Sequence, residues 1–278
     1  MNYFEIKIPK PTDETASEIL ISDLADIGFE SFVEEEDFVL AYIPEKDFQK
    51  EKLMTIAYCE SFLSRNEINV SLIKDQNWNA VWESNYPPVM ITNRCFVRAP
   101  FHEPDPEAEF NILLHPKMAF GTAHHETTAL MIEMLLDENV KGKSVLDMGC
   151  GTAVLAILAS MKGATETIAI DDDIWAYENS LENVKANSAA NIQVILGDAK
   201  DVPTVPIFDL VIANINKNIL LRDLSAYVLA INKGGRVFLS GFYSDDLADI
   251  KMEAARNGLV CVSVKTKNNW AAAIFKKQ

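Results

Sequence analysis

Cysteine, histidine, glycine and proline are scarce in this 278-residue sequence, which contains 4, 4, 11 and 11 of them. Cys59, Cys95, Cys150 and Cys261 lie far apart without metal-type or redox pairing, so we expect reduced thiols and no disulfide or zinc site. No apolar run approaches the ~18 residues that a membrane span requires, and the N-terminus lacks the features of a signal peptide. The sequence is therefore typical of a globular protein, which we expect to be cytoplasmic.

Basic side chains are also few, since 25 Lys and Arg stand against 41 Asp and Glu. The imbalance is concentrated at the N-terminus, where residues 1–85 contain 18 acidic and 7 basic side chains. Such a surface repels nucleic acid phosphates and attracts basic proteins, so we expect a basic protein partner and no direct nucleic acid binding. A solvated acidic face without a partner is the alternative.

The length predicts two domains. Residues 1–75 follow the order strand, helix, strand, strand, helix, strand, which is typical of an α+β ferredoxin-like fold. Phe4, Ile6 and Ile8 alternate on the first strand, and the second helix is predicted as one element from Asp47 to Phe62. Because no catalytic constellation occurs here, we interpret this domain as a substrate-recognition module.

Residues 76–116 are predicted to form a bridging segment between the two domains. Trp78, Trp82 and the strand Phe96-Val97-Arg98 lie in it. We expect its aromatic side chains to pack between the domains, with the lining of a substrate channel as the alternative.

Residues 117–278 are predicted to form the catalytic domain, because strands and helices alternate there as in a parallel sheet wrapped by helices. The predicted strands are Ser144–Met148, Thr167–Asp171, Ile192–Leu196, Phe208–Ala213 and Arg236–Ser240. Two further β-rich runs, joined by Lys267-Asn268-Asn269, predict a terminal hairpin. A hairpin that ends a parallel sheet favours the α/β, seven-stranded, Rossmann-like methyltransferase fold.

A glycine-rich turn after the first of these strands predicts a nucleotide-like cofactor. Val145 to Ala153 runs from an apolar strand into this turn, and Asp171 ends a second strand about 20 residues later, the offset at which a carboxylate meets a ribose. The nicotinamide fingerprint needs a third glycine where this chain has Val154. The turn therefore favours S-adenosyl-L-methionine, which has no pyrophosphate.

The strand ends supply the predicted cofactor contacts. Gly149 and Gly151 would let backbone N–H groups approach the amino-acid moiety, whose carboxylate could rest on the following helix N-terminus. Asp147 could hold the ammonium directly or through water, and Asp171 would accept the ribose hydroxyls. Asp198, after the third strand, would meet the adenine edge. A tight turn with a capping acid is the alternative for each, but three strand ends agree in order and spacing.

Asn214, at the end of the fourth strand, is the predicted catalytic residue and a further cofactor contact. An asparagine carbonyl at this point can accept a hydrogen bond from an amine and aim its lone pair at a sulfonium methyl group. The alternative is that Asn214 caps the helix that starts near Lys217.

A small polar loop from Ala119 to Thr128 enters another predicted helix. The run His124-His125-Glu126 suggests a metal site, but neighbouring side chains rarely face one ion and the i, i+4 pair of helical zinc sites is missing, so no metal is predicted. We predict a lid over the cofactor, with Thr128 bonding its carboxylate. Either histidine could relay a proton, with a structural role as the alternative.

Three motifs together resemble the ribosomal protein L11 methyltransferase family. They are FGTAHHETT at 120–128, KGKSVLDMGCG at 141–151 and DLVIANI at 209–215. The resemblance covers nearly the whole chain and implies methyl transfer from S-adenosylmethionine to the N-terminal α-amine and lysine side chains of a large-subunit ribosomal protein, L11. It places cofactor contacts on Thr128, Gly149, Asp171 and Asn214.

The sequence departs from the family pattern at Ala123 and Ala153, where glycine is usual, and at Asn216, where leucine is common. We expect a monomer. The alternatives are methylation of another protein amine or of a glutamine amide, a nicotinamide-dependent oxidoreductase, and a non-enzymatic binding module. Val154 and the terminal hairpin oppose the oxidoreductase, and the intact cofactor residues oppose the binding module.

Overall fold

The computed structural model describes residues 2–63, 65, 67–73, 86–117 and 120–278. The chain divides into two compact units, Met1–Asn85 and Tyr86–Gln278. Trp78 and Trp82 lie outside the described residues, as does the packing predicted for them. None of the helices in the described ranges has the length and apolar character that crossing a bilayer requires.

The N-terminal unit contains a four-stranded antiparallel sheet in the order β2-β3-β1-β4. Its strands are β1 (Tyr3–Pro9), β2 (Ser31–Glu34), β3 (Phe38–Pro44) and β4 (Asn69–Ile73). Its helices are α1 (Glu14–Asp26), α2 (Lys50–Leu53) and α3 (Ala57–Leu63). Ile6 and Ile8 of β1 are buried against Leu20 and Leu24 of α1. Strand order and connectivity are those of the predicted ferredoxin-like fold.

The helix predicted from Asp47 to Phe62 is interrupted in the structure. Residues 54–56 separate α2 from α3, and the Thr55 hydroxyl donates to the carbonyl oxygen of Lys52 at 2.6 Å. Side-chain hydroxyls that bond nearby backbone carbonyls compete with helical hydrogen bonding, and β-branched residues such as Thr55 and Ile56 favour helices less. The apolar residues keep helical spacing across residues 54–56, so hydrophobic periodicity alone does not predict the break.

A three-stranded sheet occupies the described part of the predicted bridge. It consists of β5 (Val89–Ile91), β6 (Cys95–Arg98) and β7 (Phe110–Leu113), with β6 in the middle. Cys95, Val97 and Ile112 are buried in one apolar cluster with residues of the helix Glu126–Asp137, which packs on the seven-stranded sheet described next. These residues therefore belong to the C-terminal unit.

The C-terminal unit contains a seven-stranded sheet in the order β10-β9-β8-β11-β12-β14-β13. Its strands are β8 (Ser144–Met148), β9 (Glu166–Asp171), β10 (Ile192–Leu196), β11 (Phe208–Asn214), β12 (Ile231–Tyr243), β13 (Leu259–Lys267) and β14 (Trp270–Lys277). Its helices are α4 (Glu126–Asp137), α5 (Val154–Met161), α6 (Ile174–Ala186), α7 (Lys217–Ala230) and α8 (Leu247–Arg256). Strand β14 runs antiparallel to β12 and β13, which confirms the predicted terminal hairpin.

Alternate residues of the central strands pack on opposite faces of this sheet. Val145 belongs to one apolar cluster and Leu146 to the other, so both faces are covered. The strand order reverses between β8 and β11, which are neighbours. Ligands of open α/β sheets bind outside the carboxyl ends of the strands at such a reversal.

Candidate functional site

The glycine-rich turn lies between β8 and α5, and its N–H groups are engaged within the protein. The bonds are Gly149 N and Cys150 N to Ile170 O at 2.8 and 3.1 Å, Gly151 N to Asp171 Oδ2 at 2.8 Å, and Thr152 N to Phe120 O at 2.9 Å. The N–H groups of Gly149 and Gly151, predicted to approach a cofactor, therefore already have partners.

Both glycines permit close packing that a side chain would prevent. Their φ angles are 63° and 56°, and a Cβ atom would meet the Ile215 side chain at Gly149 and the Phe120 carbonyl at Gly151. Ala123 and Ala153 adopt φ angles of 69° and 61°. The left-handed backbone is thus retained at both positions where the family usually has glycine.

A cavity of about 430 Å³ opens at the carboxyl ends of β8, β9 and β11. Four of the predicted residues line it: Gly149, Gly151, Asp171 and Asn214. Asp198 lines a smaller adjoining cavity of about 60 Å³, together with Gly149 and Asp171. The strand ends therefore converge as the spacing predicts.

Asp171 is held by two backbone donors. Its Oδ2 accepts from Gly151 N at 2.8 Å and its Oδ1 from Asp173 N at 3.1 Å. Burial raises the pKa of the carboxyl, and these two hydrogen bonds oppose the rise. Asp198 has the role of a capping acid in addition to lining the small cavity, because it accepts from Lys200 N at 2.7 Å.

Asp147 occupies a different place from the one predicted. Its side chain is 1% exposed, lies beneath the turn and lines neither cavity. Its Oδ2 accepts from Ala156 N at 3.1 Å, at the N-terminus of α5 where the cofactor's carboxylate was expected. Burial raises the pKa of Asp147 to about 7. In this position Asp147 supports the turn from below, and its contact with the cofactor ammonium, directly or through water, stays a prediction.

Asn214 lines the cavity and has an unpartnered acceptor. Its Nδ2 donates to Thr128 Oγ1 at 3.2 Å, whereas its Oδ1 is buried and has no hydrogen-bond partner among the described residues. The capping alternative for Asn214 is wrong, because Asn216 caps α7 by accepting from Ile219 N at 3.2 Å. A buried oxygen without a partner is costly, so this atom suits a donor from a ligand.

The lid residues are divided between packing and lining. Thr127 and Thr128 are both fully buried; Thr128 contacts Asn214, whereas Thr127 lines the cavity. Thr128 is thus placed to orient the Asn214 amide, and the cofactor contact expected of it stays a prediction.

An aromatic cluster borders the cavity, and two of its members, Trp270 and Tyr243, were not predicted as site residues. The His125 ring lies 5.2 Å from that of Phe120 and 4.7 Å from that of Trp270, which is in turn 4.2 Å from Tyr243. Phe120 and Tyr243 are each 53% exposed. Trp270 directly follows the turn of the terminal hairpin, and this position is the signal that could have identified it.

The two adjacent histidines have separate partners. His125 caps α4, with Nδ1 accepting from Thr127 N at 3.3 Å. His124 Nε2 lies 2.9 Å from the Pro87 carbonyl, which can only accept, and its Nδ1 is 3.2 Å from Thr122 Oγ1. In the described part of the chain, no group of three or more His, Cys, Asp or Glu side chains could hold a metal ion.

Comparisons with known proteins agree on one family. A family model described as "Ribosomal protein L11 methyltransferase (PrmA)" matches residues 12–278. A protein of that name from Bacteroides thetaiotaomicron is 46% identical over 279 residues, covering 99% of each chain. One from Chlorobaculum parvum is 35% identical over 98% of this chain and 96% of its own.

A solved structure has the same fold. The crystal structure of a ribosomal protein L11 methylase from Lactobacillus delbrueckii subsp. bulgaricus superimposes with a TM-score of 0.64 at 26% identity. The match covers 69% of this chain and all of that one.

Proposed function

The chain belongs to the ribosomal protein L11 methyltransferase family, and from this membership we propose that it transfers methyl groups from S-adenosylmethionine to amine nitrogens of ribosomal protein L11. We further propose that the acceptors are the N-terminal α-amine and lysine side chains. The protein would act in the cytoplasm as a monomer.

The unpartnered Asn214 Oδ1 carries this proposal. It is a buried acceptor in the wall of a cavity whose size lies within the range of small-molecule sites, roughly 300–1,000 Å³. The carboxylates of Asp171, Asp172 and Asp173 line the same cavity. Such a wall fits a ligand that carries ammonium and sulfonium charges and ribose hydroxyls.

The cofactor contacts proposed from the sequence can be refined from these positions. Asp171 and Asn214 remain contacts, with Gly149 and Gly151 providing close backbone approach. Asp198 would face the adenine from the adjoining cavity. When bound, S-adenosylmethionine supplies an electrophilic methyl group.

Asn214 orients the incoming amine. Its Nδ2 is fixed on Thr128, so its Oδ1 can accept one N–H and direct the nitrogen lone pair into the cavity. The amine must be neutral, which at pH 7 costs about 4.6 kcal/mol for a lysine of pKa ~10.4 and about 1.4 kcal/mol for an α-amine of pKa ~8. The α-amine is therefore the easier acceptor.

The aromatic cluster reduces the free-energy cost of deprotonating a lysine side chain. Phe120 and Trp270 form apolar walls at the cavity, and desolvation lowers the pKa of an amine placed between them. Their ring faces also attract a methylated ammonium after transfer. The acidic residues 1–85 would dock the basic substrate protein, because opposite charges favour encounter.

The test is mass spectrometry of purified L11 after incubation with the full-length protein and S-adenosylmethionine. A mass increase of about 14 Da is expected for each methyl group that replaces a hydrogen. The α-amine should be modified first, because its deprotonation costs the least free energy at pH 7. The Asn214→Ala variant should give little product, and Asn257→Ala, which removes side-chain hydrogen bonds to Glu253 at the end of α8 away from both cavities, should give nearly the wild-type amount. Unmodified L11 with saturating cofactor would refute the proposal.

A further inference from the structure

A buried polar stripe runs along α6 and is not part of either cavity wall. Asn179, Ser180 and Asn183 are 0% exposed, and Asn187 follows one turn later. Burying an amide or a hydroxyl is costly unless it is hydrogen-bonded. Each of these side chains has partners outside α6, so the stripe connects the helix to other segments.

Two side chains of the stripe bond the glycine-rich turn. Ser180 Oγ donates to Gly151 O at 2.7 Å, and Asn183 Nδ2 donates to Thr152 O at 3.0 Å. The turn contains three left-handed residues, Gly149, Gly151 and Ala153, and at Ala153, which is not glycine, this conformation is costly unless surrounding contacts hold it. Helix α6 supplies such contacts to the carbonyl oxygens of Gly151 and Thr152.

The same stripe fixes the segment that leads into the lid. Asn183 Oδ1 accepts from His115 N at 2.8 Å, and Asn179 Nδ2 donates to His115 O at 3.0 Å. Asn183 therefore bonds this segment and the glycine-rich turn at once. Asn187 bonds only Leu113 and the α6 backbone, since it accepts from Leu113 N at 2.9 Å and donates to Leu113 O at 2.6 Å.

The glycine-rich turn is also hydrogen-bonded to the loop that is predicted to form the lid. Thr152 Oγ1 donates to Gly121 O at 2.8 Å and Thr152 N donates to Phe120 O at 2.9 Å. A displacement of the Thr152 backbone would therefore move Phe120, which lines the cavity. The hydrogen bonds form a continuous path from α6 through the turn to the lid.

We infer that Ser180 and Asn183 are positioning residues that hold the glycine-rich turn and the lid in the geometry that binds S-adenosylmethionine. The inference rests on the proposed cofactor. Neither side chain lines either of the two cavities described above, so each acts through the turn. A turn held in its binding conformation loses less conformational entropy when a ligand binds, which increases affinity.

Three variants of the full-length protein test this inference: Ser180→Ala, Asn183→Ala and the control Asn187→Ala. Calorimetry should show S-adenosylmethionine binding about five- to tenfold weaker for Ser180→Ala and at least tenfold weaker for Asn183→Ala. Asn187→Ala should bind within about twofold of wild type, although it should lower Tm as much as Asn183→Ala because it loses similar hydrogen bonds. At saturating cofactor, kcat should stay within about twofold for Ser180→Ala while KM for the cofactor rises.

Amide hydrogen exchange provides a readout independent of activity. Without cofactor, residues 149–153 should exchange faster in Ser180→Ala than in wild type and at the wild-type rate in Asn187→Ala. Wild-type affinity and exchange in Ser180→Ala, or equal affinity losses in Asn183→Ala and Asn187→Ala, would overturn the inference while leaving the proposed function intact. Wild-type protein that fails to bind S-adenosylmethionine would overturn both.

Discussion

Replacing Asp147 by Asn should remove a large part of the pH dependence of stability. The carboxyl is fully buried, accepts one hydrogen bond from Ala156 N, and has its pKa raised by burial from 3.8 to about 7. Asn keeps the acceptor and is uncharged at every pH. The variant therefore resembles the protonated form of the native side chain.

The direction in which Asp147 changes the stability with pH follows from proton linkage. Between pH 3.8 and about 7 the folded protein holds a proton on Asp147 that the unfolded chain has released. The contribution of this group is most favourable below pH 3.8 and is lost as pH rises through the folded pKa. Between pH 4.5 and pH 8, these two pKa values correspond to a loss of about 3 kcal/mol.

Urea unfolding of both proteins from pH 4.5 to pH 8 measures this effect. The stability of Asp147→Asn relative to wild type should increase by about 3 kcal/mol over that range. Asp209→Asn is the control: hydrogen bonds to Asn232 and Ser144 outweigh burial and lower the Asp209 pKa, so the contribution of Asp209 is already complete at pH 4.5 and the stability of this variant relative to wild type should stay constant up to pH 8. A stability difference between wild type and Asp147→Asn that is the same at every pH would show that Asp147 is ionised in the folded state.

Three further results are expected at the site. Asp171→Ala should weaken S-adenosylmethionine binding by about 1.5–3 kcal/mol in calorimetry, because the ribose loses a charged acceptor; unchanged affinity would remove Asp171 from the site. Asn214→Ala should lower kcat by about 10²-fold and cofactor affinity much less, and equal losses in both would contradict an orienting role. The KM for L11 should rise between 0.1 and 1 M salt, where the Debye length falls from about 10 to 3 Å, while cofactor affinity changes little; a salt-independent KM would mean that the acidic N-terminal surface is only solvated.

Hydrophobic periodicity predicted the fold because it reports which face of each element is buried. The alternation of Phe4, Ile6 and Ile8 and the apolar runs of the parallel strands correspond to strands of the two sheets. The break at Thr55 was not predicted, because it depends on a hydrogen bond from one hydroxyl to the carbonyl of Lys52. Of the sheet β5–β7 only β6 was predicted, as the strand Phe96-Val97-Arg98, because strands of three or four residues show little periodicity.

The sequence predicted which strand ends form the site but not how their polar groups are partnered. Gly149, Asp171 and Asn214 converge because the carboxyl ends of parallel strands meet at one edge. Sequence spacing does not say which way a side chain faces, so it did not show that Asp147 lies under the turn and outside the cavity lining. The i, i+4 spacing of Asn179 and Asn183 was a readable signal for a polar stripe, but the same spacing occurs on solvated helices.

The hydrogen bonds of the glycine-rich turn bear on the choice between a methyl donor and a dinucleotide. A pyrophosphate needs free N–H groups at the turn and an open N-terminus on the following helix. Here the N–H groups of Gly149 and Gly151 are engaged, and Asp147 accepts from the first turn of α5. An anion would have to displace one carboxylate and lie near those of Asp171, Asp172 and Asp173, whereas a ligand with positive charges and hydroxyl donors meets these carboxylates and the unpartnered Oδ1 of Asn214. The absence of a third glycine at Val154 is therefore one part of a broader chemical preference, because the polar part of the wall, Asp171 to Asp173 and Asn214, accepts hydrogen bonds and attracts cations.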